Sequence, residues 1–169
     1  MCYNIPMKII SWEVNSLKFT DSYVAGFLDG DGSIVATVEH RPERRRFPYR
    51  VRLKINFTQH LRHKNLLVEL QKFLGGVGSV RDVTSHQLSE LVIQDRTQVK
   101  RVLERLLPKL ILKERQAKIM LAAIKVYDTA IVNVRSSLSE KEFQHVLALV
   151  REIRNLNSGT GGKKKLGTV

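Results

Sequence analysis

The chain has 169 residues, 43% of them hydrophobic, which is enough for one domain with a buried core and too many for a disordered protein. Lys and Arg number 29 against 16 Asp and Glu, and the resulting net charge of +13 favours a polyanionic partner over an acidic or neutral one. No apolar run reaches membrane-spanning length, and the single cysteine, Cys2, excludes an intrachain disulfide.

Ile9-Ile10 is followed at once by Ser11, Trp12 and Glu13, so no signal-peptide apolar stretch forms. An intracellular location, cytoplasm or organelle, is therefore expected rather than secretion. Residues 1–19 read as a leader on a single domain spanning 1–157. Thr20 or Asp21 is the expected N-cap of a helix running to about Gly30. Ser33 to Arg41 then reads as a strand, with Ile34, Ala36 and Val38 on one side. A basic turn, Arg41-Pro42-Glu43-Arg44-Arg45-Arg46-Phe47-Pro48, leads into the clearest strand, Arg50 to Gln59. There Val51, Leu53, Ile55 and Phe57 alternate with Arg50, Arg52, Lys54, Asn56 and Thr58.

A helix over Lys64–Leu74 follows, with Leu66, Leu67, Leu70, Phe73 and Leu74 as its apolar face and Gly75-Gly76 as its stop. Val77–Val83 and Leu88–Gln94 form a second strand pair joined by Thr84-Ser85-His86-Gln87. Thr97–Leu107 is a helix with Val99, Val102, Leu103, Leu106 and Leu107 inward. Lys113–Asp128 is another. Ser139-Glu140-Lys141-Glu142 has the form of a capping box that opens the last helix, whose core face is Phe143, Val146, Leu147, Val150, Ile153 and Leu156. The tail 158–169, with Lys163-Lys164-Lys165, is expected to be basic and disordered.

Three arrangements carry no chemistry of their own. Gly75-Gly76-Val77-Gly78-Ser79 lacks the Gly-Lys-Ser/Thr ending of a phosphate-binding loop. His60 and His63 with one distant cysteine do not make a zinc site. Ser85-His86 has no partner acid nearby in sequence and reads as a strand connection.

The long strand is different. One face carries Arg50, Arg52 and Lys54 and then Asn56, side chains suited to phosphate oxygens and major-groove base edges. An ordinary solvated face mixes its signs, and an anionic membrane is the competing partner for the charge. Three cations in a row on one ribbon favour nucleic acid, because a two-stranded ribbon fits the major groove.

The most informative run is Tyr23-Val24-Ala25-Gly26-Phe27-Leu28-Asp29-Gly30-Asp31-Gly32-Ser33-Ile34. Ala25 and Gly26 make a small-residue helix face that lets another backbone come close, and Asp31 stands between two glycines where the helix should stop. A bare Gly-Asp-Gly would be a helix end with a solvated carboxylate. The whole run resembles the signature of the LAGLIDADG homing endonucleases.

That resemblance covers about Thr20 to Asn157. It implies an α/β fold of αββαββα type, with a concave antiparallel sheet that lies on DNA and additional C-terminal helices. One motif copy implies a homodimer, with Tyr23, Ala25, Gly26 and Phe27 at the interface. The reaction implied is Mg²⁺-dependent hydrolysis of one phosphodiester in each strand of double-stranded DNA. The cut leaves short 3′ overhangs within a long, partly palindromic site.

In that scheme Asp31 and the Gly30 carbonyl hold metal, Gln59 orders active-site water, and Lys113 lies beside the scissile phosphate. The sheet contributes Thr37, Glu39, Arg41, Arg50, Arg52, Lys54, Asn56, Arg81 and Glu90 to DNA, with Val83 and Val92 alongside. Glu39 and Glu90 either accept from cytosine amino groups or balance nearby arginines. The family often has Arg a few residues after the glutamine. Here His63 occupies that position with Arg62 adjacent. A free chain of this length fits an intron-encoded enzyme better than an intein. The alternative is an RNA-binding maturase, or a DNA-binding protein of the same fold that does not cut.

Overall fold

The computed structural model describes residues 19–43, 48–132 and 138–157. The expected leader before residue 19, Cys2, the basic turn over 44–47 and the tail 158–169 lie outside the described residues.

Helix α1 spans Asp21–Gly30 and is capped by Thr20, whose hydroxyl accepts from the Tyr23 N–H at 3.1 Å. It ends at Asp31, whose N–H donates to Phe27 O at 3.0 Å. The chain then doubles back over the last turn of α1. A Cβ on Gly32 would lie 2.7 Å from Leu28 Cα and 2.8 Å from Leu28 O, so only glycine fits this close approach.

Strands β1 (Gly32–His40) and β2 (Tyr49–His60) pair antiparallel, with Gly32 opposite Phe57 and His40 opposite Tyr49. A single 3₁₀ turn leads to α2 (Lys64–Phe73), then β3 (Ser79–Val83) and β4 (Leu88–Ile93). The sheet order is β1-β2-β4-β3, antiparallel throughout. Helices α3 (Arg96–Leu106), α4 (Glu114–Val132) and α5 (Glu140–Leu156) complete the chain. This is the αββαββα order with added C-terminal helices, as expected from the sequence.

Strand alternation divides the sheet into two faces. Ile34 and Ala36 of β1, Leu53, Ile55 and Phe57 of β2, and Leu91 and Ile93 of β4 all point into the core. Helices cover that face through Val24 and Leu28 of α1, Leu67 and Leu70 of α2, Leu103 and Leu106 of α3, Met120 and Ile124 of α4, and Val146 and Ile153 of α5. Each such side chain stabilises the fold by roughly 1.5–3 kcal/mol relative to exposure. The capping box at Ser139 is present: its hydroxyl accepts from Glu142 N, and Glu142 Oε2 accepts from Ser139 N at 2.8 Å.

Boundaries moved by a residue or a few. Asp95 rather than a later residue caps α3, because its side chain accepts from Gln98 N at 2.9 Å. Helix α4 continues past Asp128 to Val132. Leu156, expected on the core face of α5, is 37% exposed in its final turn.

Candidate active site and nucleic-acid interface

The C-terminal end of α1 gathers the predicted site. Asp31 is exposed, and its backbone is fixed at both ends: the N–H caps α1, and the carbonyl accepts from Thr58 N at 3.3 Å. Gln59 sits one residue before the end of β2 and reaches the same carboxylate, with Nε2 3.4 Å from Asp31 Oδ2. The His60 N–H donates to Gln59 Oε1 at 3.3 Å, which holds the amide nitrogen toward Asp31.

Lys113 arrives from the far end of the chain, just ahead of α4. Its ammonium donates to the carbonyl oxygen of Asp29, in the last turn of α1. Unsatisfied carbonyls there attract a cation. Burial pulls the lysine below its ordinary pKa, while the Asp29 and Asp31 carboxylates push back. The sequence reading thus named three residues from three distant segments, and the fold brings all three to one helix end.

It missed Asp29. The Asp29 carboxylate accepts from three consecutive backbone N–H groups: Ile111 at 2.7 Å and Leu112 at 3.2 Å on one oxygen, Lys113 at 2.9 Å on the other. No local pattern signals this, because the acceptor and its donors are more than 80 residues apart.

The second basic group has two candidates, His63 and Arg62. Arg62 Nε donates to His63 Nε2 at 3.1 Å, so the two candidates lie against each other in the turn after β2.

Asp31 and the Gly30 carbonyl are the oxygens at this helix end that could hold a metal. Gly30 has nothing within 4 Å of where a Cβ would stand, which leaves the approach open. Among the described residues no group of three or more His, Cys, Asp and Glu forms a metal cage. One carboxylate with an open approach fits a hard cation that keeps waters and takes phosphate oxygens, as Mg²⁺ does, rather than one needing a full protein cage.

The face of the sheet turned away from the helices carries the predicted nucleic-acid side chains. By register it presents Thr37 and Glu39 of β1, Arg50, Arg52, Lys54 and Asn56 of β2, Glu90 and Val92 of β4, and Arg81 and Val83 of β3. Several of its charges are already matched. Arg52 Nε lies 2.5 Å from Glu39 Oε1, and Arg41 lies 3.3 Å from Glu39 Oε2 and 3.7 Å from Glu43. The hydrogen bond from Arg52 holds the Glu39 carboxyl below its usual range, against the opposing effect of burial. Arg81 is paired with Glu90, its cross-strand neighbour, at 2.7 Å. The choice left open for the two glutamates falls to balancing arginines in this structure.

Arg50 and Lys54 have no ion pair among the described residues, and Arg50 is exposed. Asn56 departs from expectation. It lies on this face but is 7% exposed, too sunken for the base contact expected of it.

The proposed α1 interface also divides. Tyr23 is 51% exposed, and Gly26 is exposed with no atom within 4 Å of a built Cβ. Phe27 is partly buried, its ring 5.4 Å from that of Phe57. Ala25, expected on the same surface, is fully buried in the core of its own chain. Helical spacing alone puts Ala25 next to Gly26, and only the packing of α1 shows which way each points. Ile111 and Leu112, held against the end of α1, are 83% and 73% exposed.

A helix-end carboxylate with an amide and a lysine beside it, next to a sheet face rich in charged side chains, is a set of groups suited to phosphodiester cleavage. The family model described as LAGLIDADG endonuclease matches residues 24–127. DNA endonuclease I-CvuI of Chlorella vulgaris is 38% identical over 111 residues, covering 66% of this chain and 66% of that protein. DNA endonuclease I-CreI of Chlamydomonas reinhardtii is 31% identical over 147 residues, covering 87% of this chain and 84% of that one. A crystal structure of I-CvuI in complex with its target in the presence of 2 mM Ca superposes with a TM-score of 0.74 at 29% identity, over 86% of this chain and 85% of that one. The chain belongs to the LAGLIDADG endonuclease family.

Proposed function

We propose that this protein is a site-specific homing endonuclease that cuts both strands of double-stranded DNA as a homodimer, each copy cutting one strand. The observation that carries this reading is the meeting of Asp31, Gln59 and Lys113 at the end of α1. Binding DNA needs none of the three, whereas hydrolysis uses each. This favours an enzyme over a maturase or a non-cutting protein of the same fold.

The chain's own contributions follow from the geometry. Asp31 places a fixed anionic oxygen at the scissile position. Gln59, with its oxygen held by the His60 N–H, keeps that carboxylate oriented and presents a polar edge to water. Lys113 supplies positive charge for the charge that builds on the phosphate in the transition state. A divalent cation held by Asp31 and the Gly30 carbonyl, Mg²⁺ in this reading, supplies Lewis-acid activation of water and of the leaving oxygen. Residues up to 157 act as a single domain, with 158–169 as a basic extension. Intron encoding, an intracellular site of action in cytoplasm or organelle, and short 3′ overhangs complete the reading. Among the described residues no helix is long and apolar enough to cross a membrane.

The test is linearisation of supercoiled plasmids carrying a library of partly palindromic sites. Cutting should appear with Mg²⁺ and vanish with chelator. Tight DNA binding without cutting in Mg²⁺, Mn²⁺ or Co²⁺ would leave the non-cutting alternative, and preference for structured RNA would leave the maturase.

The dimer has its own test. Light scattering should give about twice the 19.4 kDa chain mass. Gly26→Leu is expected to raise the stability of α1 by about 1 kcal/mol, since Gly is a poor helix residue and the site is open within the chain. The same leucine should hold two α1 helices apart, so the variant should run as a monomer that no longer cuts both strands. A dimeric, fully active Gly26→Leu would move the interface elsewhere.

For the sheet, Arg50→Ala and Lys54→Ala should each reduce the salt dependence of binding by about one phosphate contact. If either reads a guanine, discrimination at that base falls by roughly 1–3 kcal/mol instead. Arg81→Ala should do less to the salt slope, because Glu90 already neutralises it. Equal slopes for all three variants and the unaltered protein would remove the sheet from the DNA interface.

A further inference from the structure

We infer that Asp29 is a positioning residue for the cleavage reaction: it sets Lys113 against the metal-binding end of α1, and so acts through that lysine without touching DNA. This rests on the reading of Lys113 given above.

Two independent attachments tie the lysine to the same residue. The Asp29 side chain gathers the N–H groups of Ile111, Leu112 and Lys113, with all three bonds between 2.7 and 3.2 Å. The Asp29 main-chain carbonyl accepts from the Lys113 ammonium itself. One grips the lysine's backbone, the other its charged tip. Asp31 is two residues further on, so any shift of Asp29 relative to Lys113 changes the distance from the ammonium to the scissile position.

The segment needs such a grip. Leu110 is buried, but the next two residues project large apolar side chains outward, at 83% and 73% exposure. Burial of those side chains in their own chain therefore does not hold this segment in place. Hydrogen bonds from consecutive N–H groups to an ionised carboxylate are among the stronger neutral-to-charged contacts, and three of them define an orientation as well as a distance. A displacement of about 1 Å in a group serving the transition state is enough to cost on the order of 100-fold in rate.

Asp29→Asn keeps the size but turns an amide donor toward one set of backbone donors. Single-turnover cutting by the full-length dimer in Mg²⁺ should fall by about 10- to 100-fold. Affinity in Ca²⁺, where binding is read without cutting, should change less than about 2-fold, and a thermal melt of the same variant reports any loss of fold, because the half-buried Asp29 carboxylate carries three backbone hydrogen bonds. The decisive measurement is a double-mutant cycle with Lys113→Met. Once the lysine is gone, Asp29→Asn should cost less than about 2-fold more, because two changes acting on one group do not add.

Losses that multiply in the double variant would overturn the inference and make Asp29 a structural residue only. Wild-type cutting by Asp29→Asn would overturn it as well. Wild-type cutting by Lys113→Met would instead refute the role assigned to the lysine, and Asp29 would lose its role with it. Should Asp29→Asn melt below the assay temperature, Asp29→Ser removes the carboxylate without the opposing donor and is read in the same cycle.

Discussion

Asp31→Asn should bind target DNA in Ca²⁺ as well as the unaltered protein or better, and should cut it in Mg²⁺ at least 100- to 1,000-fold more slowly. The two halves of this expectation have separate structural causes. The structural work of residue 31 is done by its backbone, which caps α1 through Phe27 O and starts the ladder with Thr58. Asn preserves both bonds. The side chain is exposed, and its one hydrogen bond among the described residues is the 3.4 Å contact from Gln59, which an amide oxygen also accepts. The fold therefore has little to lose.

Chemistry has much to lose, because a neutral amide is a poor ligand for a hard cation. In the proposed dimer, removing the two Asp31 carboxylates from beside the scissile phosphates would also remove repulsion, which is why binding should hold or tighten. Gel shifts and plasmid linearisation read the two halves. Cutting within 10-fold of normal would return the motif to a purely packing role.

Gly32→Ala should destabilise the fold by about 3 kcal/mol or more, a large share of the roughly 5–15 kcal/mol available to a domain of this kind. The added methyl would stand 2.7 Å from Leu28 Cα and 2.8 Å from Leu28 O. Those are backbone atoms of the preceding helix, so no rotamer change relieves the clash. Strand β1 must move off α1, and it carries the core residues Ile34 and Ala36 with it.

Gly30→Ala is the matched control. Nothing lies within 4 Å of its Cβ position, so stability should rise slightly in the isolated chain. Urea midpoints at constant m-value compare the two. A Gly32→Ala variant within 1 kcal/mol of the unaltered protein would show that the helix-to-strand turn is looser than drawn.

The glycines of one motif thus have unlike jobs, and the motif alone does not tell them apart. Gly32 is required by contact within its own chain, whereas Gly26 and Gly30 face open space within it, where the proposed second copy or DNA would come near.

What the sequence determined by itself is what depends on neighbours along the chain. Alternation in β2 separated the core row Leu53, Ile55 and Phe57 from the charged row. Local capping residues Thr20 and Ser139 marked helix starts, because their side chains bond N–H groups three residues away. The run from Tyr23 to Ile34 announced the family, and the family supplied Gln59 and Lys113.

Tertiary structure decided what depends on register and packing direction. Arg52 is neutralised by Glu39 and Arg81 by Glu90 only because the strands pair in one particular register. Ala25 and Gly26 are adjacent, yet a 100° helical step puts one in the core and leaves the other exposed. Asp29 meets residues 111–113 only after α1 and the start of α4 have packed together. Periodicity and capping are short-range forces written within a few residues. Which charge meets which, and which lysine reaches which carboxylate, is settled by the distances that burying a common core imposes on distant segments.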